Sequence, residues 1–226
     1  MSVFDHRSLG PDDITRLVKD QKVKFINLQF TDVWGMVKSV TIPAGQLRHL
    51  LKGGVWFDGS SVEGFARIAE SDMYLKPDLN TFAIIPWELG DNTTARIICD
   101  VCGIDGKPFS GDPRHALVRA LKQAEKMGFR YVTAPECEFF LFKMNGMEPL
   151  PHDLAGYFDY STDEAYEVRK DMVNALHDFG MEVEASHHEV AVGQHEIDFK
   201  YDNALRTADN TLTFKLTLKT IAARHG

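Results

Sequence analysis

The sequence has no long apolar run, few cysteines and no cluster of positive charge. No stretch approaches the roughly 20 apolar residues that cross a bilayer, so a membrane span is not expected. The amino terminus carries charges where a secretory signal needs an apolar core. Three cysteines indicate a reducing compartment, and scattered Lys and Arg in a chain of formal net charge −8 argue against a nucleic-acid partner. We therefore expect a cytoplasmic, acidic, globular protein without membrane or nucleic-acid partners.

The remaining composition and the order of patterned segments predict an α+β protein with two domains. Hydrophobic residues make up 44% of the chain and aromatic residues 11%, enough for an ordinary core. Short strands and two helices are predicted in residues 1–106, and the turn-forming segment IDGKP follows at 104–108. Residues 107–226 form the second predicted domain. Its last predicted helix is still running where the sequence stops, so we expect this domain to be incomplete.

Two glutamates alternate along a predicted strand in the segment PECEFFLF at residues 135–142. Side chains two apart on a strand share a face, so Glu136 and Glu138 project together, with Phe140 and Phe142 expected to be buried in line with them. Acids beside buried phenylalanines cost free energy unless they are paired or bind a metal ion. A solvated strand end is the alternative.

A second acidic pair lies in the segment SHHEVAVGQHEIDF at residues 186–199. A two-residue hairpin with Val192 and Gly193 at its tip would place Glu189 directly opposite Glu196. Facing carboxylates repel each other unless a cation lies between them, and an all-oxygen site suits Mg²⁺ or Mn²⁺. A polar hairpin with a loose register is the alternative.

Three histidines in the same segment also allow a zinc site. His187 and His188 are adjacent, so they point to opposite faces of a strand, and only one of them can join the neighbours of Glu189. His195 is the third. The excess of carboxylates favours a harder cation than zinc.

The segment WFDGSSVEGF at residues 56–65 is a Gly- and Ser-rich loop with Asp58 after two aromatic residues. It lacks the Gly-Lys-Ser/Thr of a Walker phosphate loop, and a plain surface turn is the alternative.

Six segments, in order, resemble glutamine synthetase of the bacterial and archaeal type I class. They are FDGSS (57–61), EGFARI (63–68), ESDMYL (70–75), PECEFFLF (135–142), EASHHEV (184–190) and GQHEIDFKY (193–201). The resemblance implies a β-grasp amino-terminal domain followed by the first part of a glutamine synthetase/guanido kinase-type catalytic domain. It also implies a homo-oligomer, a dodecamer of two stacked six-subunit rings.

The resemblance assigns roles to residues of both domains. It implies that Glu138, Glu189 and Glu196 hold one divalent ion, that Glu136 helps to hold a second, and that Glu184 contacts ATP. Because a regular strand would put Glu184 and Glu189 on opposite faces, we expect a bulge or bend between them.

For the substrate side, the resemblance assigns Asp58 to an ammonium pocket shared with a neighbouring subunit, as a catalytic residue. Tyr157 and Ser61 are assigned to the substrate pocket, and Arg67 to feedback by glutamine.

The implied activity is ATP-dependent ligation of ammonia to L-glutamate through γ-glutamyl phosphate, with two Mg²⁺ or Mn²⁺ ions per active site. Two alternatives remain: a ligase that uses an amine or polyamine, and a non-catalytic relative with a regulatory or structural role. Because the chain is about half the length of the family, we expect it to be inactive alone.

Overall fold

A computed structural model describes residues 8–62, 64, 72–146 and 148–226. The chain divides into two compact units, and the division falls after Tyr131. Both units contain helices and strands, so the α+β expectation is confirmed. No helix in the described ranges has the length and apolar character needed to span a bilayer.

The first unit is built on a mixed sheet. The elements of this unit are α1 (Pro11–Asp20), β1 (Phe25–Thr31), β2 (Val37–Pro43), α2 (Leu47–Gly53), β3 (Val55–Asp58), β4 (Asp72–Pro77), β5 (Ala83–Ile84), β6 (Thr94–Cys102) and α3 (Pro113–Lys126). The strand order is β2-β1-β6-β4-β3, and β5 is also paired to β6. Strands β1 and β6 run parallel, and the other pairs are antiparallel.

The core of this unit lies around β6, whose nine residues are all buried except the half-buried Asp100. A strand buried on both faces is expected to be nearly continuous in apolar residues, as ARIICDVC mostly is. Helices α1 and α2 contribute Ile14 and Leu50, which are 0% and 1% exposed. Cys99 and Cys102 are free and buried in this core.

The second unit contains two helices and several short strands. They are β7 (Val132–Thr133), β8 (Glu138–Phe140), β9 (Phe142–Asn145), β10 (Glu148–Pro151), α4 (Tyr166–Asp178), β11 (Val183–His188), β12 (Gln194–Phe199), β13 (Asp202–Asn203) and α5 (Ala204–His225). A three-stranded sheet with the order β11-β12-β8 packs with α4 and α5. Met172, Leu176 and Ile197 are fully buried in this unit.

Helix α3 lies with the first unit because its first turn is tied to the sheet. The N-cap Asp112 accepts hydrogen bonds from the N–H groups of Arg114 and Val101. The guanidinium of Arg114 reaches Asp100 at 2.5 Å and Asp78 at 2.7 Å. None of the residues of α3 is buried, so polar anchoring rather than an apolar face attaches it. The domain boundary after residue 106 stays a prediction.

We expect Arg114→Ala to lower the unfolding free energy of the first unit by about 2 kcal/mol, because it leaves two half-buried carboxylates unpaired. Urea unfolding followed by tryptophan fluorescence measures this change, since Trp34, Trp56 and Trp87 all lie in this unit. The control is Arg119→Ala, an exposed position on the same helix, which should change stability by less than about 0.5 kcal/mol. Equal effects of the two variants would contradict the anchoring role of Arg114.

Candidate metal centre

Three carboxylates converge on one face of the β11-β12-β8 sheet. The strand registers place His187 opposite Glu196, and Glu196 opposite Glu138, so the three form a row across the sheet. Glu189 directly follows β11 on the same side. One carboxylate oxygen from each of Glu138, Glu189 and Glu196 lies within 4.8 Å of the other two. The structure therefore brings together three of the four predicted metal ligands.

The predicted register of the β11–β12 hairpin is wrong by two residues. The turn is where it was expected, because the N–H of Gln194 donates to the carbonyl of Ala191 across Val192 and Gly193. However, the N–H of Glu189 donates to the carbonyl of Gln194, so Val190 and Ala191 leave the ladder. A shift of two keeps each side chain on its face. Glu189 is thus a diagonal rather than a direct neighbour of Glu196.

Gly193 is required at this turn because its φ is +67°, in the left-handed region. A Cβ atom there would also meet the carbonyl oxygen of Leu141 at 3.1 Å and the backbone nitrogen of His152 at 3.2 Å. The carbonyl of Gly193 accepts a hydrogen bond from the N–H of Leu141 at 2.9 Å. This bond joins the turn to the break between β8 and β9.

Polar neighbours surround the three carboxylates. His187 places Nδ1 3.5 Å from Glu189 and Nε2 3.4 Å from Glu196. The amide nitrogen of Gln194 donates to Glu138 at 2.5 Å. Burial, followed by a hydrogen bond with Glu189 and the negative charge of Asp198, raises the pKa of Glu196 to about 7. The raised pKa shows, besides the effect of burial, that the carboxylates repel each other when all are ionised. A hard divalent cation bound among these oxygens would offset that repulsion.

The remaining glutamates lie at the edges of this arrangement. Glu136 is exposed in the segment before β8, outside the strand predicted for it. Glu184 is exposed at a β-bulge between Val183 and Ala185, whereas the bulge or bend was expected between Glu184 and Glu189, where the ladder is regular from Ala185 to His188. The ligand role of Glu136 and the ATP role of Glu184 stay predictions.

The expected burial of Phe140 and Phe142 is wrong. They are 49% and 50% exposed, and their rings stack on each other with centroids 6.2 Å apart. Phe140 shares the outward parity of Glu138, whereas Phe139 points inward and contacts His195 and Phe214. The acidic face of β8 is therefore the outer face of the sheet.

Tyr157 lies beside the carboxylate row. Its ring stacks on Phe158 at 3.8 Å and meets His187 edge-on at 5.6 Å. Phe158 has a φ of +60°, and its N–H donates to the carbonyl of His188. This bond fixes the aromatic segment against β11.

In the first unit, Asp58 ends β3 and is exposed. Its carboxylate accepts a hydrogen bond from the N–H of Ser60 at 2.8 Å. Hydrogen bonds from the side chain and the backbone of Ser60 lower the pKa of Asp58, so it remains an anion. Ser61 is exposed in the turn that follows. Arg67, predicted to take part in feedback, lies outside the described residues.

A buried network beneath the candidate metal centre was not predicted from the sequence. His188 lies on the opposite face from His187, as adjacent residues of a strand should. Its Nδ1 meets the carbonyl oxygen of Glu189 at 2.7 Å, and its Nε2 meets Asp153 at 2.9 Å. Asp153 also accepts the N–H groups of Ala155 and Glu164. This network fixes the backbone of a candidate metal ligand.

The second part of the network holds β12. Arg169 donates to Nδ1 of His195 at 3.0 Å and pairs with both oxygens of Asp163. Burial and the nearby charge of Arg169 lower the pKa of His195 to about 4, so this ring is neutral at pH 7. These bonds pair Asp153, His188 and Nδ1 of His195, whereas Nε2 of His195 is buried with no hydrogen-bond partner in the described part of the chain. Strand alternation could have placed the two histidines inward, but no sequence pattern marks Asp153 or Asp163.

Comparisons with known proteins find one family that matches both halves of the chain. The family models described as "Glutamine synthetase, catalytic domain" and "Glutamine synthetase, beta-Grasp domain" match residues 110–226 and 22–104. A glutamine synthetase of Clostridium saccharobutylicum is 54% identical over 219 residues, covering 95% of this chain and 49% of that protein. One from Staphylococcus epidermidis is 51% identical over 224 residues, covering 97% of this chain and 50% of that protein. The chain spans about half the length of the curated relatives it matches.

Solved structures show the same fold. A complex of GmaS with ADP has a TM-score of 0.84 and 28% identity, covering 95% of this chain and 50% of that one. A cryo-electron microscopy structure of Plasmodium falciparum glutamine synthetase has a TM-score of 0.84 and 23% identity, covering 96% of this chain and 49% of that one. At this identity the likeness supports the fold alone.

We expect Mn²⁺ to bind more tightly at about pH 8 than at about pH 6, because a cation needs the ionised form of Glu196. Below the pKa of about 7, the apparent affinity should fall up to about tenfold per pH unit, and above it should level off. The folding stability of the metal-free protein depends on pH in the opposite direction to the metal affinity. A pKa raised from 4.5 to about 7 contributes stability that is fully present below pH 4.5 and lost as the pH rises through about 7.

The measurement is the increase in melting temperature on adding Mn²⁺ at each pH. Glu196→Gln removes the titrating group, so Mn²⁺ should then raise the melting temperature only slightly and by the same amount at both pH values. An increase in the unmodified protein that does not depend on pH would show that Glu196 is not a ligand.

Proposed function

Because the chain belongs to the glutamine synthetase family, we propose that its protein ligates ammonia to the side-chain carboxylate of L-glutamate with ATP, giving glutamine, ADP and phosphate. One observation carries the proposal: Glu138, Glu189 and Glu196 converge within 4.8 Å on a sheet face. A metal-assisted phosphoryl transfer needs such a carboxylate set to hold its cation close to ATP.

We propose that Glu138, Glu189 and Glu196 hold one Mg²⁺ or Mn²⁺ ion and that Glu136 contributes to a second. When bound, the ions offset the negative charge of the triphosphate and of the glutamate carboxylate, which otherwise repel each other. The all-oxygen donor set supports a hard cation. Gln194 orients Glu138, and the bond from His188 to the carbonyl of Glu189 restrains the third ligand.

The ammonia step is assigned to Asp58. Its carboxylate is held as an anion by Ser60, so it can attract ammonium and accept the proton that ammonium must lose before it attacks γ-glutamyl phosphate. Tyr157 and Ser61 are proposed to line the substrate pocket, Glu184 to contact ATP, and Arg67 to take part in feedback. The proposal includes assembly as two stacked six-subunit rings and a cytoplasmic location, which its three free cysteines suit.

We expect calorimetry to detect one Mn²⁺ site in this chain, weakened roughly 100-fold or more in Glu189→Ala because one of three carboxylate ligands is lost. Glu148→Ala is the matched control, since Glu148 is an exposed glutamate on β10 outside the group, and it should bind as the unmodified chain does. Two equal tight sites, or full binding in Glu189→Ala, would contradict the assignment.

We expect Asp58→Asn, in the protein made from its complete coding sequence, to spare phosphoryl transfer and to impair the ammonia step. Asparagine keeps the shape but loses the charge, so glutamine formation should fall about 100-fold or more while ADP formed with hydroxylamine as acceptor is retained. Asp91→Asn, an exposed turn position, is the control. Equal loss of both steps would make the loop structural, and turnover with a polyamine in place of ammonia would assign the alternative ligase activity.

A further inference from the structure

A cavity of about 830 Å³ opens between α1, the start of β1 and α2 in the first unit. This volume lies within the range of small-molecule sites, about 300–1,000 Å³. Val18, Val23 and Leu47 contribute to its wall and are less than 10% exposed, and the half-buried Leu51 lies beside them. The cavity therefore has an apolar floor.

Positive charge is concentrated around this floor. Five lining residues are cationic and one, Asp12, is acidic, in a chain whose formal net charge is −8. None of the five is ion-paired with a carboxylate in the described part of the chain. The cationic residues are Lys19, Lys22, Lys24, Arg48 and Lys52.

The dipoles of helices α1 and α2 explain only some of the five cationic residues. Lys19 and Lys52 lie in the last turns of α1 and α2, where cations stabilise a helix. Arg48 lies in the first turn of α2, where a cation opposes the helix dipole, and Lys24 lies outside both helices. The convergence of five cations therefore needs a further reason.

The backbone at Lys22 supplies a second, independent observation. Helix α1 ends in a Schellman motif, in which the N–H of Lys22 donates to Lys19 and that of Val23 donates to Val18. Glycine is the usual residue at the position of Lys22, whose φ is +53°. A lysine there costs free energy that glycine would avoid, and this residue lines the cavity. Backbone strain beside a cavity points to a function for the side chain.

We propose that this cavity binds a small organic molecule that carries two or more negative charges on an apolar body. The anionic groups contact the lysines and Arg48, and the apolar body lies on Val18, Val23 and Leu47. The site uses only the first unit, so it does not depend on the metal centre or on the proposed ligase activity.

The test is fluorescence anisotropy of the trisulfonated pyrene dye pyranine, titrated with the protein in the absence of ATP and divalent ions. We expect saturable binding to one site that weakens as salt is added. Lys22→Gly should weaken binding about tenfold or more while leaving the melting temperature unchanged or higher, because glycine relieves the strained backbone. Arg48→Gln should weaken binding similarly.

The matched controls are Lys122→Gln and Lys126→Gln, two exposed lysines on α3, which should bind pyranine as the unmodified protein does. Competition by pyrophosphate and by citrate shows whether phosphate or carboxylate groups are preferred, and displacement by either supports the site. Unchanged binding in Lys22→Gly and Arg48→Gln, or equal binding of an uncharged pyrene alcohol, would overturn the proposal.

Discussion

The alternation of side chains along β12 determines what both faces of the sheet in the second unit can do. Gln194, Glu196 and Asp198 lie on the outer face, while His195, Ile197 and Phe199 are buried on the inner one. A slip of one residue would turn Glu196 towards the apolar inner face and Ile197 towards the outer face, so burial of the apolar residues specifies the register. The row of carboxylates follows from that register, because Glu196 can then stand opposite only Glu138 and His187.

Bringing three carboxylates together costs free energy, and the surrounding structure shows how the fold tolerates it. On the outer face, His187 lies between two of the acids, and Gln194 donates to the third. On the inner face, the buried Arg169 is paired with Asp163, so its charge is compensated. Removing one member of a buried pair of this kind typically costs about 3–5 kcal/mol. The strands that carry the acids are thus held by polar bonds on the face away from the candidate cation site.

Sequence reasoning identified the acids but not the contacts that position them. Strand alternation was sufficient to predict a shared face for Glu136 and Glu138, because parity is a local property of the chain. Only the family resemblance grouped Glu138 with Glu189 and Glu196, which lie on other parts of the sheet. Alternation was not sufficient to give the register of the hairpin, since nothing local indicates that Val190 and Ala191 loop out. The α+β class could be predicted from the order of elements. The parallel pairing of β1 with β6 could not, because it joins segments about 70 residues apart, as between Phe25 and Thr94.

Among the described residues, two that are not glycine have a positive φ, and each lies at one of the sites considered above. Phe158, at +60°, packs on His187 and keeps Tyr157 beside the carboxylates. Lys22, at +53°, lines the cavity between α1 and α2. At either position glycine would satisfy the backbone at lower cost, but it would lose the ring or the ammonium group. Selection for stability alone would favour glycine at these two positions. Selection for binding would instead keep the phenylalanine and the lysine for their side chains, despite the strained backbone.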